Sequence, residues 1–288
     1  MGRVTRLHPV LRVAIGREGP DQAVRRTDTL AVEEPLEVRL NGDSFLVTMR
    51  TPGDDIDLVH GLLHSEGVIT RVEDIAGARY CDGAGPDGLN TYNVLDVQLA
   101  AGVPPPSPDL RRNVVTSSAC GVCGTTSIDQ VVKQTCHPLD LSLRVPAELV
   151  LSAPDRLRDH QKAFAKTGGL HAAGLMTPDG AIVCAREDVG RHNAVDKVIG
   201  DGVRAGRLPL AGSVLMVSGR ASFELTQKAV LAGIPMMAAV SAPSSLAAEL
   251  ATEAGLTLVG FVRGQSMNVY SHPERVKTPV VDDPDGGR

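Results

Sequence analysis

Apolar and polar residues alternate through Leu36 to Leu40 and again through Phe45 to Met49. Asn41-Gly42-Asp43 lies between them, a pattern that predicts a β-hairpin closed by a tight turn. Next, Ile56, Val59, Leu62 and Leu63 fall on one helical stripe behind acids at Asp54 and Asp55, which predicts a helix over 54–64. Two strand-like stretches, 75–81 and 91–99, flank a Gly-rich turn at 82–88. Together these elements describe a small α+β unit over residues 28–103. Val103-Pro-Pro-Pro-Ser-Pro108 reads as a stiff polyproline connection and sets its boundary. Residues 1–27 are Arg-rich, interrupted by Gly and Pro, and show little periodicity, so a loosely ordered arm is expected there.

The pattern changes over residues 109–276. Ser152-Ala-Pro154 predicts the start of a helix running to about Lys166 and stopped by Gly168-Gly169. Leu170 to Met176 and Ala181 to Ala185 read as strands across the turn Pro178-Asp179-Gly180, and 191–199 reads as a helix. Strand and helix patterns then alternate: 213–217, 222–232, 235–240, 244–254 and 256–261. Near-continuous apolar strands between helices predict a parallel βαβαβ core covered on both faces. The fold class is therefore α/β, and residues 277–288 are expected to be a flexible tail.

Composition narrows the function classes. The chain has 288 residues, with 29 basic against 34 acidic side chains and a formal net charge of −5, which argues against a general nucleic-acid binder. Aromatic residues make up only 2%, too few for a base-stacking platform. The longest apolar runs, such as Ile234 to Val240, fall well short of the ~20 residues that span a bilayer, so no membrane association is expected. Five cysteines, two of them paired as Cys120-Gly-Val-Cys123, do not describe a disulfide framework and point to a reducing cytoplasm.

That cysteine pair is the sharpest chemical feature. Glycines beside both thiols, with Ser and Thr around them, suit a thiolate that must reach two partners in turn. Three readings compete: half of a zinc site completed by Cys136-His137 or Cys81, a thioredoxin-like redox pair, and a sulfur-carrying nucleophile. Cys81, Cys136 and Cys184 read as packing residues. A second feature is the set of loops at the carboxyl ends of the expected parallel strands: Ser218-Gly219-Arg220, Ser241 to Ser245, and Phe261-Val262-Arg263-Gly264-Gln265-Ser266. Such strand ends are where open α/β sheets bind ligands, and Arg220 and Arg263 are placed for a polyphosphate. The competing reading makes these Ser and Gly residues ordinary turns and caps. No Walker motif and no Gly-x-Gly-x-x-Gly is present. The dense polar stretch Arg186 to Lys197 either binds a ligand or is a loop in which Asp188 or Asn193 caps a helix, and His171 is equally ambiguous. His60 and His64 share a helix face, with surface or domain-contact roles expected.

Taken together, Ser118-Ala-Cys120-Gly-Val-Cys123-Gly, Thr167-Gly-Gly-Leu-His171-Ala-Ala, the stretch Arg186 to Lys197, Ser218-Gly-Arg220 and Asn268-Val-Tyr-Ser271 resemble the formate dehydrogenase accessory sulfurtransferase family (FdhD/NarQ). The resemblance covers roughly residues 28–275. It implies a small α+β domain followed by a three-layer domain of cytidine-deaminase-like architecture, in a cytoplasmic homodimer. It further implies a sulfur carrier that accepts persulfide sulfur from a cysteine desulfurase. The acceptor would be the molybdenum bis(molybdopterin guanine dinucleotide) cofactor destined for formate dehydrogenase, with GDP a candidate mimic of it. The family's persulfide cysteine falls on Cys120, with Cys123 assisting or resolving, and its cofactor-contacting segment falls on Phe261 to Ser266. Two alternatives remain: a cofactor-binding chaperone without sulfur transfer, and a zinc-dependent deaminase. The deaminase is disfavoured because no Pro precedes Cys120 and Ala-Ala follows His171, so no metal ligand is assigned.

Overall fold

The computed structural model describes residues 4–16, 22–81, 92–104, 106, 115–116, 128, 131, 137 and 139–278. Its first element departs from expectation. The segment read as a loose arm is a two-stranded antiparallel ribbon, β1 (Thr5–Ala14) paired with β2 (Gln22–Ala31) from Thr5 opposite Ala31 to Ala14 opposite Gln22. The reason it escaped the pattern is physical. Leu7, Leu11 and Val13 stay exposed, so neither ribbon face is buried against a core that would demand an apolar stripe.

The expected hairpin forms as β3 (Glu34–Leu40) and β4 (Asp43–Arg50), turning through Asn41 and Gly42, both at positive φ. The helix Asp55–Ser65 follows, then β5 (Ile75–Tyr80) and β6 (Val94–Leu99). A further strand, β7 (Val115–Thr116), lies beyond the proline-rich stretch yet pairs in parallel with β4, giving the sheet order β5-β6-β3-β4-β7.

In the second region a short parallel pair, β8 (Val145–Pro146) with a later strand, precedes the helix Ala147–Arg158. The helix expected from Ser152 to Lys166 is in fact two. Ala147–Arg158 starts earlier and carries Pro154 inside it, and the short helix Lys162–Thr167 ends at Gly168 in the left-handed region. Glu187 fixes the break: its carboxylate accepts from the backbone N–H groups of Ala163 (2.9 Å) and Phe164 (2.6 Å), satisfying free donors of the second helix.

The main sheet comprises β9 (His171–Met176), β10 (Ile182–Asp188), β11 (Val214–Val217), β12 (Met236–Ala239), β13 (Thr257–Arg263) and β14 (Ser266–Ser271) in the order β10-β9-β11-β12-β13-β14. The expected parallel core is its centre, β11-β12-β13; β9 and β14 run antiparallel to it, and β10 pairs antiparallel with β9. The final strand, β15 (Val276–Lys277), pairs with β8. Both faces of the sheet are covered, which is why its strands are apolar without alternation. Leu215, Val217, Met237 and Ala239 pack with the helices Arg191–Arg204, Phe223–Leu231 and Ser245–Ala254. Val214, Met216, Met236 and Ala238 pack with Val150, Ala153 and Leu157 on the other side. The α/β class and the three layers are those expected of the second region.

One apolar cluster runs from Leu36, Val38 and Leu58 in the first region to Val195, Ile199 and Leu215 in the second. The helices Asp55–Ser65 and Arg191–Arg204 meet at its centre through glycine. A Cβ on Gly61 would stand 1.9 Å from the Asp196 carbonyl oxygen, and one on Gly200 would stand 1.8 Å from that of Asp57. Around this crossing, Arg186 donates to Asp57 and Asp201, Lys228 pairs with Asp196, and His64 reaches the Leu231 carbonyl at 3.3 Å.

Candidate functional site

A cavity of about 450 Å³ opens where the carboxyl ends of β11, β12 and β13 meet the end of the helix Ala147–Arg158. Its volume is in the range of small-molecule sites. One wall comes from strand ends and the loops after them: Met216, Ser218, Val240, Val262, Arg263 and Gly264. The other comes from the helix and the break after it, including Asp155, Arg158, Gln161 and Phe164. Gly168, Gly169, His171 and Val189 close the remaining side.

Of the residues expected to hold a ligand, Ser218, Val262, Arg263 and Gly264 face this cavity, while Gly219, Arg220, Phe261, Gln265 and Ser266 do not line it. Gly219 packs beside the His171 ring, and Arg220 is exposed. The segment Phe261 to Ser266 differs from the loop expected after a strand. Phe261 to Arg263 complete β13, with Phe261 at φ 52°, and the chain turns at Gly264 directly into β14. A hairpin needs no helix here, so this strand end offers no helix N-terminus. After β12, Ser244 accepts from the Ala247 N–H at 3.2 Å, which is ordinary capping. Cys120, Cys123 and Cys136 lie outside the described residues. Cys184 is buried, and burial pushes its thiol up to about 12, so it is inert at neutral pH.

The dense polar stretch Arg186 to Lys197 turns out to build the joint between the two regions. Lys197 and Asp188, both almost fully buried, pair at 2.8 Å, and Asp188 also accepts from the backbone of Thr51 and Gly190 and from Asn193. Of this stretch only Val189 lines the cavity. His171 lines it and is held below the ordinary histidine range by burial, then by the nearby charges of Arg191 and His192, so it is neutral at pH 7. His192 pairs with Glu224 at 2.5 Å.

The wall formed by Asp155, Arg158 and Gln161 was missed from sequence. Asp155 and Arg158 share one face of the last helical turn, and that spacing of three was the available signal; Gln161 lies beyond the end of this helix. The Arg158 guanidinium lies 4.5 Å from the Phe164 ring, and that of Arg263 lies 5.6 Å from the Phe261 ring. Among the described residues neither arginine has a carboxylate partner. Two unpaired guanidinium groups on opposite walls can clamp an anion and stack on a planar ring. No group of three His, Cys, Asp or Glu residues suited to a metal ion occurs among the described residues, and no helix there is long and apolar enough to cross a membrane.

The model of the FdhD/NarQ family matches residues 31–277. A sulfur carrier protein FdhD of Streptomyces coelicolor is 56% identical over 278 residues, covering 96% of this chain and 97% of that protein. The sulfur carrier protein FdhD of Mycobacterium tuberculosis is 56% identical over 261 residues, 89% of this chain and 94% of its own length. Among solved structures, that of a candidate formate dehydrogenase accessory protein from Desulfotalea psychrophila superposes with a TM-score of 0.73. It is 24% identical, covering 96% of this chain and all of the other, a likeness that concerns the fold.

Proposed function

The chain belongs to the FdhD/NarQ family, and on that premise we propose that it is a sulfur carrier serving formate dehydrogenase maturation. The Cys120 thiolate attacks the outer sulfur of a cysteine desulfurase persulfide; a new S–S bond forms at Cys120 as the desulfurase thiolate leaves. The S–S bond at Cys120 then breaks as the outer sulfur bonds to the reduced molybdenum of its substrate, the molybdenum bis(molybdopterin guanine dinucleotide) cofactor, which supplies the two electrons that take this sulfur to sulfide, and Cys120 leaves as the thiolate. Cys123 assists or resolves the persulfide. The working form is a cytoplasmic homodimer.

The observation that carries this reading is the cavity itself, with Arg263 at a strand end on one wall and Arg158 at the end of a helix on the other, neither paired with a carboxylate among the described residues. Arg158 and Arg263 hold pyrophosphate oxygens, Ser218 and Gly264 border them, and His171 stays neutral beside the site. The chain path supports delivery of sulfur to this place. Thr116 pairs with Thr48 on β4, and three residues further along Thr51 accepts from the N–H of Val189, which lines the cavity. Cys120 follows Thr116 by four residues, a length of chain that reaches at most roughly 14 Å.

Incubating the protein with a desulfurase and cysteine should add about 32 Da, one sulfur atom, to the peptide carrying Cys120. The variant Cys120→Ala should lose this adduct and formate dehydrogenase maturation while still binding GDP. A Cys120→Ala protein that matures the enzyme normally would leave a cofactor-binding chaperone as the better account.

A further inference from the structure

One pair of titratable side chains belongs neither to the cavity lining nor to the joint between the two regions. His192 is the second residue of the helix Arg191–Arg204, and Glu224 is the second of the helix Phe223–Leu231. Their side chains are only 16% and 19% exposed, and the His192 Nε2 lies 2.5 Å from a Glu224 carboxylate oxygen. That nitrogen is sealed from solvent and sits off the axis of a straight hydrogen bond. The other ring nitrogen, Nδ1, makes no hydrogen bond among the described residues and is not sealed. Contact with His192 first, then the charges of Lys228 and Arg191, hold Glu224 below the ordinary carboxylate range against the opposing effect of burial. Lys228 is spent on Asp196 and Asp188 on Lys197, so Glu224 is the carboxylate left to His192. His171 at the head of β9 and Arg191 complete the titratable and charged groups about the ring. An imidazole with one nitrogen against a carboxylate and the other free is arranged to accept a proton from a nucleophile.

The strand that leads to Cys120 runs beside the same helix start. Asn193, next to His192, donates to the Met49 carbonyl at 2.8 Å, which fixes the helix start against the end of β4. β7 is parallel to β4, with Thr116 opposite Thr48, so at Thr116 the chain runs in the direction of Met49. Cys120 is outside the described residues and follows Thr116 by four positions. Gly190 caps this helix without a side-chain bond, and a free helix N-terminus favours an anion such as a thiolate. We propose that His192 is the proton acceptor that converts the Cys120 thiol into its thiolate, with Glu224 as the positioning residue that holds the ring and balances its charge. This rests on Cys120 being the sulfur carrier. The S–H bond breaks, its electron pair stays on Sγ for attack on the outer persulfide sulfur, and the proton passes to the His192 Nδ1. The thiolate that leaves after sulfur transfer takes this proton back.

The rate at which iodoacetamide alkylates each thiol of the full chain, followed from about pH 5.5 to 10 and read by tandem mass spectrometry, tests this. The Cys120 rate should reach half its maximum at least one unit below about 8.5, the ordinary thiol value, with Cys123 as internal reference. His192→Gln should raise the Cys120 midpoint by roughly one unit and slow its alkylation at pH 7 about 3- to 10-fold, leaving the Cys123 midpoint in place. Glu224→Gln should move the Cys120 midpoint in the same direction by less, and it carries the test alone if His192→Gln does not fold. Glu224→Asp keeps the carboxylate and should restore most of what Glu224→Gln loses. An ordinary Cys120 midpoint in the unaltered protein, a midpoint untouched by these variants, or a shift shared equally by Cys123 overturns the proposal. The one-sulfur adduct is measured on the same preparations. An adduct on a Cys120 of ordinary midpoint counts against this inference alone, and a lowered midpoint without an adduct counts against sulfur transfer alone.

Discussion

The joint between the two regions and the cavity beside it are both rich in polar side chains, and they treat them in opposite ways. At the joint, charges sit in pairs: Lys197 with Asp188, Arg186 with Asp57 and Asp201, Lys228 with Asp196. At the cavity, Arg158, Arg263 and Asp155, all exposed, and the buried Gln161 have no such partner among the described residues. An isolated buried charge costs several kcal/mol, so ions at a packed contact persist only in pairs. Groups facing an open cavity can wait for a ligand. Polar density alone does not separate the two roles: Arg186 to Lys197, with eight polar or charged side chains in twelve residues, serves packing, and Asp155 to Gln161, with six in seven, faces the cavity.

This contrast can be broken at either end. The largest effect is expected from Lys197→Ala, which leaves Asp188 charged and buried: about 3–5 kcal/mol lost in urea unfolding. A loss below about 1 kcal/mol would mean the pair is not what holds the joint. Gly200→Ala should cost around 3 kcal/mol or more, because the new methyl group meets backbone rather than a side chain that can move. Its thermal midpoint, compared with that of Gly212→Ala at an exposed turn with open space and no positive φ, isolates the close approach from the residue type.

A smaller effect is expected from pH. Burial lowers the pKa of His60, His64 and His171 below 6.5. Between those folded values and 6.5 the unfolded chain binds more protons than the folded one, so stability falls as pH drops below about 6.5 and levels off below the folded values. Urea midpoints from pH 8 to pH 5 check the sign; a rise on acidification would contradict it. The smallest effect belongs to Gln161→Leu. With no internal bond to lose, it should change stability by no more than about 0.5 kcal/mol, in contrast to Lys197→Ala, while altering ligand affinity.

Much of the fold was legible because it is written locally. Alternation around Asn41-Gly42 and the unbroken apolar runs at 214–217 and 236–239 state which faces are buried, and the structure buries those faces. The ribbon β1–β2 was not legible, since a ribbon without a buried face has no pattern to keep. Of the candidate site, the strand ends at Ser218 and Val262 to Gly264 were legible from the strand–loop rhythm. The helical wall was not, because its break depends on Glu187, which lies more than twenty residues away.

What the chain determined alone was the identity of its elements and the double coverage of its central strands, since burial periodicity is a property of neighbours in sequence. Tertiary structure decided which polar groups are spent on one another. Thr51 meets Asp188 across 137 residues, and nothing near either residue announces that bond. Hydrogen bonding depends on who arrives within about 3 Å, and only the folded chain brings those partners together.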